Sequence, residues 1–210
     1  MKRRRPPLAV IFGCSGTKLT PAERSFFAQA NPRGFSLYKR NCETPAQTRA
    51  LVKDLRRCVG RADAPILIDQ EGGRVARLKP PHWRVGPSGA ELGALARADR
   101  GAGLEATYLH YRLIGSDLAA LGIDVNCAPV LDVAQKGMTA AIGDRAFSDD
   151  PRLVAELGLA ACAGMLACGV MPVIKHMPGH GRAGVDSHFD LPRVGARMRC
   201  SQSRPITSEA

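Results

Sequence analysis

The feature that most constrains the fold of this chain is a regular alternation of short apolar runs with helix-like segments. The apolar runs are residues 8–12, 34–39, 65–68, 124–132 and 170–174. Because strand, helix and strand follow one another in this order, right-handed crossovers place the strands side by side in a parallel sheet. The sequence therefore predicts an α/β fold with five strand–helix units.

Local signals locate the helices between these strands. Thr20-Pro21 and Thr44-Pro45 each place a capping hydroxyl before a proline, which is favoured at the first helical position. The Ala- and Leu-rich stretch 93–121 predicts one helix, or two helices with a break at residues 101–103. Residues 150–168 predict the last helix, because Asp-Pro opens the segment and a glycine follows it.

Polar side chains follow several of the predicted strands, at the point where each strand ends. Asp69, Asp132, Lys175 and His176 all occupy such positions. An aspartate there also serves to cap a following helix. However, the carboxyl ends of parallel strands open onto one face of the fold, where α/β proteins place their chemistry. Their shared position favours a common site.

Composition narrows the functional classes. A net charge of +11 and a pI near 9.8 suit an acidic partner. The basic residues are spread along the chain, however, and aromatic residues make up only 5% of it, so no stacking platform for nucleic acid is indicated. No apolar run approaches the ~20 residues of a membrane-spanning helix. We therefore expect neither a nucleic-acid partner nor a membrane.

The cysteines and the amino terminus both favour a cytoplasmic protein. The seven cysteines form no C-x-x-C pair, and an odd number scattered through apolar stretches is typical of buried, reduced thiols. The apolar segment after the arginine-rich start is shorter than the ~7–15 residues of an export signal. We therefore expect residues 1–7 to be a basic tail that leads into a buried strand.

The densest chemical stretch is the glycine-rich segment 175–188, which holds three of the five histidines. Its residues 179–184 match G-x-G-x-x-G after a strand. A dinucleotide site also needs a helix there and an acidic residue ~20 positions further on, which the sequence does not offer. A dinucleotide site is therefore the weakest of three interpretations.

The other two interpretations concern the polar side chains of this segment. His176, His180, Asp186 and His188 are donors suited to zinc or iron, as in a metal-dependent hydrolase. Alternatively, Asp186 and His188 form a carboxylate–imidazole pair. In such a pair the carboxylate orients the ring, and the second ring nitrogen exchanges a proton near neutral pH.

Several longer motifs together point to one family. Residues 69–77 read DQEGGRVAR, residues 126–133 NCAPVLDV, residues 143–147 GDRAF, and residues 175–181 KHMPGHG, followed by DSH at 186–188. This succession resembles the bacterial β-N-acetylhexosaminidases of glycoside hydrolase family 3.

The resemblance implies a fold, an activity and a site. The fold would be a (β/α)8 TIM-type barrel, and the activity would be hydrolysis of terminal β-linked N-acetylglucosamine from peptidoglycan fragments during cytoplasmic wall recycling. The reaction would retain configuration through an aspartate nucleophile, without metal or cofactor, in a monomer. His188 matches the acid/base and Asp186 its partner. The residues that match the sugar-binding positions are Asp69, Arg77, Arg145, Lys175 and His176.

The sequence departs from the family pattern after Arg193. Residues 194–210 have no hydrophobic period and no aspartate, whereas the family's nucleophile comes from a later strand. We therefore expect residues 8–193 to form an incomplete barrel with an exposed apolar edge, followed by an unstructured tail, and to be inactive alone. Two further hypotheses are a metal-dependent barrel hydrolase and a non-catalytic remnant that binds amino sugars.

Overall fold

The computed structural model describes residues 6–194, so most of the two predicted tails, residues 1–5 and 195–210, lies outside the described part of the chain. Five parallel strands form one sheet in the order of the sequence. They are β1 (Leu8–Phe12), β2 (Pro32–Leu37), β3 (Ile66–Ile68), β4 (Val125–Asn126) and β5 (Met171–Pro172). The predicted parallel α/β fold is confirmed.

Five α-helices connect and flank these strands. They are α1 (Pro21–Ala30), α2 (Pro45–Cys58), α3 (Gly89–Ala98), α4 (Arg100–Leu121) and α5 (Pro151–Leu166), and two 3₁₀ turns span Lys39–Asn41 and Gly143–Arg145. Among the described residues, no helix combines the length and the apolar character needed to cross a membrane.

The predicted helix starts are confirmed by their caps. The Thr20 hydroxyl accepts from the Glu23 amide while the Glu23 carboxylate accepts from the Thr20 amide. Thr44 caps α2 by accepting from the Gln47 amide. Asp150 caps α5 in the same way, through the Arg152 amide. Each of these side chains satisfies a backbone donor that the helix itself leaves free.

The break in stretch 93–121 lies at Asp99 rather than at residues 101–103. Asp99 ends α3 and also caps α4, where its carboxylate accepts from the Ala102 amide at 3.0 Å. Gly103 is buried within α4, and a Cβ there would lie 2.3 Å from the Ala96 Cα. This glycine therefore permits the close packing of α3 on α4 and does not break a helix.

The fourth and fifth strands are shorter than predicted. Of the predicted strand 124–132, only residues 125–126 pair in the ladder, and Pro129 follows without an amide hydrogen to donate. Beyond that interruption the chains still run side by side, because the Leu131 amide donates to the Lys175 carbonyl at 2.6 Å. This contact keeps residues 132 and 175 at the same end of the sheet.

One core lies between the sheet and the helices. Its fully buried members include Phe35, Leu37, Ile66, Ile68 and Leu118. The cysteines are less buried than predicted: of the six that lie in the described residues, only Cys14 is buried and the others are partly exposed. Burial raises the pKa of the Cys14 thiol to about 11, so it stays protonated at neutral pH.

The sheet is open at both edges within residues 6–194. β1 and β5 are the outer strands and each pairs on one side only. The Leu8 and Met171 side chains at these edges are 54% and 58% exposed, and Val173 and Ile174 beyond β5 are also exposed. The predicted exposed apolar edge is therefore present, and it occurs at both edges of the sheet.

Candidate active site

Asp69, at the carboxyl end of β3, is the centre of a group of charged side chains. The Lys175 ammonium donates to its Oδ1 at 2.8 Å, and Arg77 Nη2 lies 3.3 Å from its Oδ2. Burial alone would raise the pKa of Asp69, but the hydrogen bonds and charges of Lys175 and Arg77 outweigh it and lower this pKa. Asp69 is therefore an ionised carboxylate at neutral pH.

Glu71 connects a third cation, Arg145, to this group and gives Lys175 a second carboxylate partner. Its side chain is only 5% exposed, and both of its oxygens accept from Arg145, at 2.8 Å each. Lys175 Nζ lies 2.5 Å from the same carboxylate. Glu71 thereby fixes Arg145 by the two-point geometry that a planar guanidinium favours, and holds the Lys175 ammonium beside it. Glu71 was not among the site residues predicted from the sequence, although its position two residues after Asp69 pointed to the same strand end.

The loop after β3 is held in shape by Gln70. The Gln70 side chain accepts from the Arg77 and Leu78 amides at 2.8 and 3.0 Å, and donates to the Leu78 carbonyl at 3.1 Å. Gly72 and Gly73 adopt φ values of +98° and +53°, a region that glycine enters without steric cost. The loop therefore returns towards β3 and places Arg77 beside Asp69.

Asp132 orients the His176 ring through a hydrogen bond to its Nδ1. The Asp132 side chain is fully buried, its Oδ2 lies 2.6 Å from His176 Nδ1, and its Oδ1 accepts from the His180 amide at 2.5 Å. Burial alone would raise the pKa of Asp132, but the hydrogen bonds from His176 and His180 lower it. Arg145 Nη2 lies 3.5 Å from His176 Nε2. Since arginine only donates, the contact favours a proton on His176 Nδ1 and an acceptor at Nε2.

We call the assembled residues the strand-tip cluster. Its members are Asp69, Glu71, Arg77, Arg145, Lys175 and His176. The cluster includes all five residues that the sequence predicted to bind a sugar, and each of them contacts another member. Arg77 Nε is buried and has no hydrogen-bond partner within residues 6–194. The cluster can therefore offer both a carboxylate acceptor and directed cationic donors to a polar ligand.

Asp186 and His188 form the predicted pair on the loop that follows β5. His188 Nδ1 lies 2.7 Å from Asp186 Oδ1, which also accepts from the His188 amide at 2.9 Å. These hydrogen bonds, the backbone one first, lower the pKa of Asp186. The His188 side chain is 82% exposed, and within the described residues it forms no hydrogen bond or ion pair with the strand-tip cluster.

The four residues weighed as metal ligands do not converge. One ring nitrogen of His176 is taken by Asp132 and one of His188 by Asp186, while His180 Nε2 lies 3.3 Å from the Val185 carbonyl. Within residues 6–194, no three His, Cys, Asp or Glu side chains are grouped so that they could hold a metal ion. The glycine-rich segment 179–184 forms turns and no helix begins there, so the dinucleotide interpretation is wrong.

Comparison with known proteins identifies the family. The model of the glycosyl hydrolase family 3 N terminal domain matches residues 13–203. The chain belongs to this family. Curated relatives named beta-hexosaminidase include one from Alkalilimnicola ehrlichii, 38% identical over 184 residues, which are 88% of this chain and 52% of the relative. One from Methylococcus capsulatus is 38% identical over 87% of this chain and 52% of its own length.

Solved structures agree with this assignment and confirm the resemblance seen in the motifs. Native NagZ from Neisseria gonorrhoeae superposes with a TM-score of 0.83 at 32% identity, over 89% of this chain and 54% of that one. The same protein in complex with N-trifluoroacetyl-D-glucosamine also gives a TM-score of 0.83. The chain thus spans about half the length of the curated relatives that it matches.

Proposed function

We propose that this chain supplies the sugar-binding part of an enzyme that hydrolyses terminal β-linked N-acetylglucosamine from peptidoglycan fragments. The single observation that carries the proposal is the ionised Asp69, held between Lys175 and Arg77 at the strand ends. The names of the relatives support the amino-sugar substrate, as does the N-acylglucosamine bound to the Neisseria gonorrhoeae protein. We also propose that this enzyme acts in the cytoplasm and is a monomer.

The strand-tip cluster recognises the sugar through complementary hydrogen bonds. Asp69 accepts hydrogen bonds from two neighbouring sugar hydroxyls, because an ionised carboxylate offers acceptor sites on both oxygens. Lys175 and Arg145 donate to sugar oxygens in directions that Glu71 fixes. His176 contributes the acceptor at Nε2, since Asp132 holds its other nitrogen. The hydroxyl and N-acetyl groups of the sugar thus meet partners that are already positioned before binding.

The Asp186–His188 pair serves as the general acid and base. In the first step an aspartate attacks the anomeric carbon, and the leaving oxygen takes a proton from His188 as the glycosidic bond breaks. In the second step His188 removes a proton from water, which displaces the aspartate and releases the sugar with its original configuration. The family resemblance assigns this nucleophile to a later strand, and residues 194–210 hold no aspartate that could supply it.

The loop must bring His188 over the strand-tip cluster for this chemistry. Gly179, at φ +122°, gives the loop a backbone conformation that most residues avoid, and among residues 6–194 the His188 side chain hydrogen-bonds with Asp186 alone. Closure on a bound sugar would deliver the imidazole after the substrate is in place. The second candidate function, sugar binding without turnover, is favoured by the wide exposure of His188 beside a complete cluster.

The two candidate functions are separated by measuring binding and turnover on the same protein. Isothermal titration of the 210-residue chain with N-acetylglucosamine should give saturable binding that Asp69→Asn abolishes. Asp54→Asn is the matched control, because Asp54 pairs with Arg24 and Arg57 at the surface of α2. Absence of binding by the unsubstituted chain contradicts both functions.

Turnover is then followed with 4-nitrophenyl N-acetyl-β-D-glucosaminide. We expect no hydrolysis by the chain alone, and hydrolysis when it is mixed with the carboxyl-terminal half of the Alkalilimnicola ehrlichii relative. His188→Ala should abolish the restored activity while sugar binding persists. Hydrolysis by the chain alone that requires His188 contradicts the predicted inactivity, whereas binding without turnover in any mixture supports the non-catalytic function.

A further inference from the structure

A cavity separate from the strand-tip cluster lies between the loop after β3 and helix α4. Its volume is about 450 Å³, and none of the six cluster residues lines it. One wall is the loop from Gln70 to Pro87, and the other is a stripe of α4 that includes Leu109, His110, Leu113, Ile114 and Asp117. We call this space the loop cavity.

The loop cavity is apolar and its walls are fixed. Leu113 and Val85 line it and are 47% and 77% exposed. At the rim, Arg84 Nη2 lies 3.0 Å from both carboxylate oxygens of Asp117, which ties the loop to α4. At the other end the three hydrogen bonds of Gln70 hold the start of the loop. Ligand sites of about 300–1,000 Å³ are commonly apolar and formed in advance in this way.

His110 gives the loop cavity a directed polar group that, unlike Gln70, Arg84 and Asp117, is not already committed to a partner at both of its polar atoms. The imidazole is clamped by two glycines, since a Cβ at Gly72 would lie 2.6 Å from its Nε2 and a Cβ at Gly86 2.2 Å from its Cε1. His110 Nε2 lies 3.5 Å from the Glu71 carbonyl oxygen, which only accepts, so Nε2 carries the proton. Burial lowers the pKa of His110, and the neutral ring leaves Nδ1 as an acceptor without a partner in residues 6–194.

We propose that the loop cavity binds a small phenol-like molecule, with an apolar body and one hydroxyl that donates to His110 Nδ1. The leucine side chains of α4 and the loop residues Leu78 and Val85 cover the apolar body. The polar group of the ligand has to be a donor, because the fixed tautomer of His110 offers only an acceptor. A ligand without a donor leaves this nitrogen buried and unpaired, which disfavours its binding.

Binding at the loop cavity does not depend on the glycosidase function. Glu71 belongs to the strand-tip cluster through its side chain and touches the loop cavity wall only through its backbone carbonyl. A binding measurement with a phenol therefore succeeds or fails without reference to sugar hydrolysis, and the two proposals are tested separately.

The experiment compares two probes that differ in the hydroxyl hydrogen, 4-ethylphenol and 4-ethylanisole. Each is titrated into the ¹⁵N-labelled full chain, and amide shifts in the loop after β3 and in α4 are followed by NMR. We expect 4-ethylphenol to bind saturably at one site and 4-ethylanisole to bind about tenfold more weakly, the value of one hydrogen bond. The largest shifts should fall at Gly72, Gly86 and His110.

Two tryptophan variants locate the site. Leu113→Trp fills the loop cavity and should abolish 4-ethylphenol binding, while the nearly half-exposed position leaves the fold intact. Leu159→Trp places the same side chain on α5, where Leu159 is 72% exposed and outside the cavity lining, and should leave binding unchanged. Absence of saturable binding, equal affinity for the two probes, or full binding by the Leu113→Trp variant overturns the proposal.

Discussion

The strand-tip cluster and the Asp186–His188 pair are both made of opposite charges at hydrogen-bond distance, yet they are built in different ways. The cluster joins side chains from three separate stretches of the chain, and its member Glu71 is almost fully buried. The pair joins residues two positions apart, and its histidine faces solvent. The first arrangement exists only in the folded chain, whereas the second needs only the local loop.

This difference matches the two tasks proposed for them. A sugar-binding site gains affinity when its donors and acceptors are fixed before the ligand arrives. A proton shuttle that serves two successive steps has to approach the substrate and then admit water, which suits a loop. The charges of the strand-tip cluster are therefore fixed by burial in the folded chain, whereas Asp186 and His188 pair because they are close in the sequence. This contrast leads to measurable predictions.

The largest effect is expected from breaking the buried charges at Glu71. Glu71→Gln leaves Arg145 and Lys175 without their shared carboxylate in a largely buried position, and should lower the free energy of unfolding by about 3 kcal/mol. Urea unfolding of the full chain measures it. Asp186→Asn, the matched change in the exposed pair, should leave the free energy of unfolding nearly unchanged. Equal costs for the two substitutions contradict the comparison.

A second prediction locates the point where the loop after β5 stops being fixed. A Cβ at Gly181 would lie 1.9 Å from the Val133 carbonyl oxygen, whereas one at Gly184 would approach nothing closer than 3.6 Å. Gly181→Ala should therefore destabilise the chain by about 2 kcal/mol, and Gly184→Ala by less than ~0.5 kcal/mol. Thermal unfolding of both variants tests this, and a tolerated Gly181→Ala means that the first half of the loop is also free.

The sequence predicted the parts of the site that follow from strand ends and motifs. Asp69, Lys175 and His176 follow strands directly, so the parallel sheet alone placed them together. Arg77 and Arg145 came only from the resemblance to the family, because a loop and a 3₁₀ turn carry them and no periodic pattern indicates where such residues point.

What the sequence did not predict depends on burial. Glu71 reads as an ordinary acidic residue of a polar segment, and only the folded chain shows it almost completely enclosed by its cationic partners. The sequence predicted Asp132 at a strand end, but not its full burial against His176. The position of the α3–α4 break was missed for a related reason. A pair of glycines indicates a break by local preference, but Gly103 is required by a close contact between two helices.

A third prediction concerns the pH dependence of stability, which should differ between the buried carboxylates and the exposed Asp186–His188 pair. The pKa of Asp132 in the folded chain lies below its ordinary value of 3.8, so the unfolded chain binds the extra proton first as pH falls. This contribution to stability is complete above about pH 5 and is lost as pH drops through the lowered pKa. Asp69, whose pKa is also lowered, acts in the same direction.

Urea unfolding between pH 6.5 and pH 3 measures this dependence. The Asp132→Asn variant should show a flatter decline than the unsubstituted chain, because it has lost one of the groups responsible. Asp186→Asn should leave the decline nearly unchanged, since water already screens its pair. An unchanged slope for Asp132→Asn contradicts the assignment of this acid sensitivity to the buried carboxylate.

The smallest effects on stability and on sugar affinity are expected from substituting His188. A small effect would show that this side chain is not part of the preformed sugar site. Because the imidazole is exposed and, within residues 6–194, hydrogen-bonds only with Asp186, His188→Ala should change the free energy of unfolding by less than ~0.5 kcal/mol and leave N-acetylglucosamine affinity within about twofold. His176→Ala should weaken the same affinity about tenfold, because it removes a ring that Asp132 and Arg145 hold in place. Calorimetric titration of both variants compares them directly. A loss at His188 as large as that at His176 means that the loop already lies over the sugar when it binds, and the exposed pair then belongs to the preformed site.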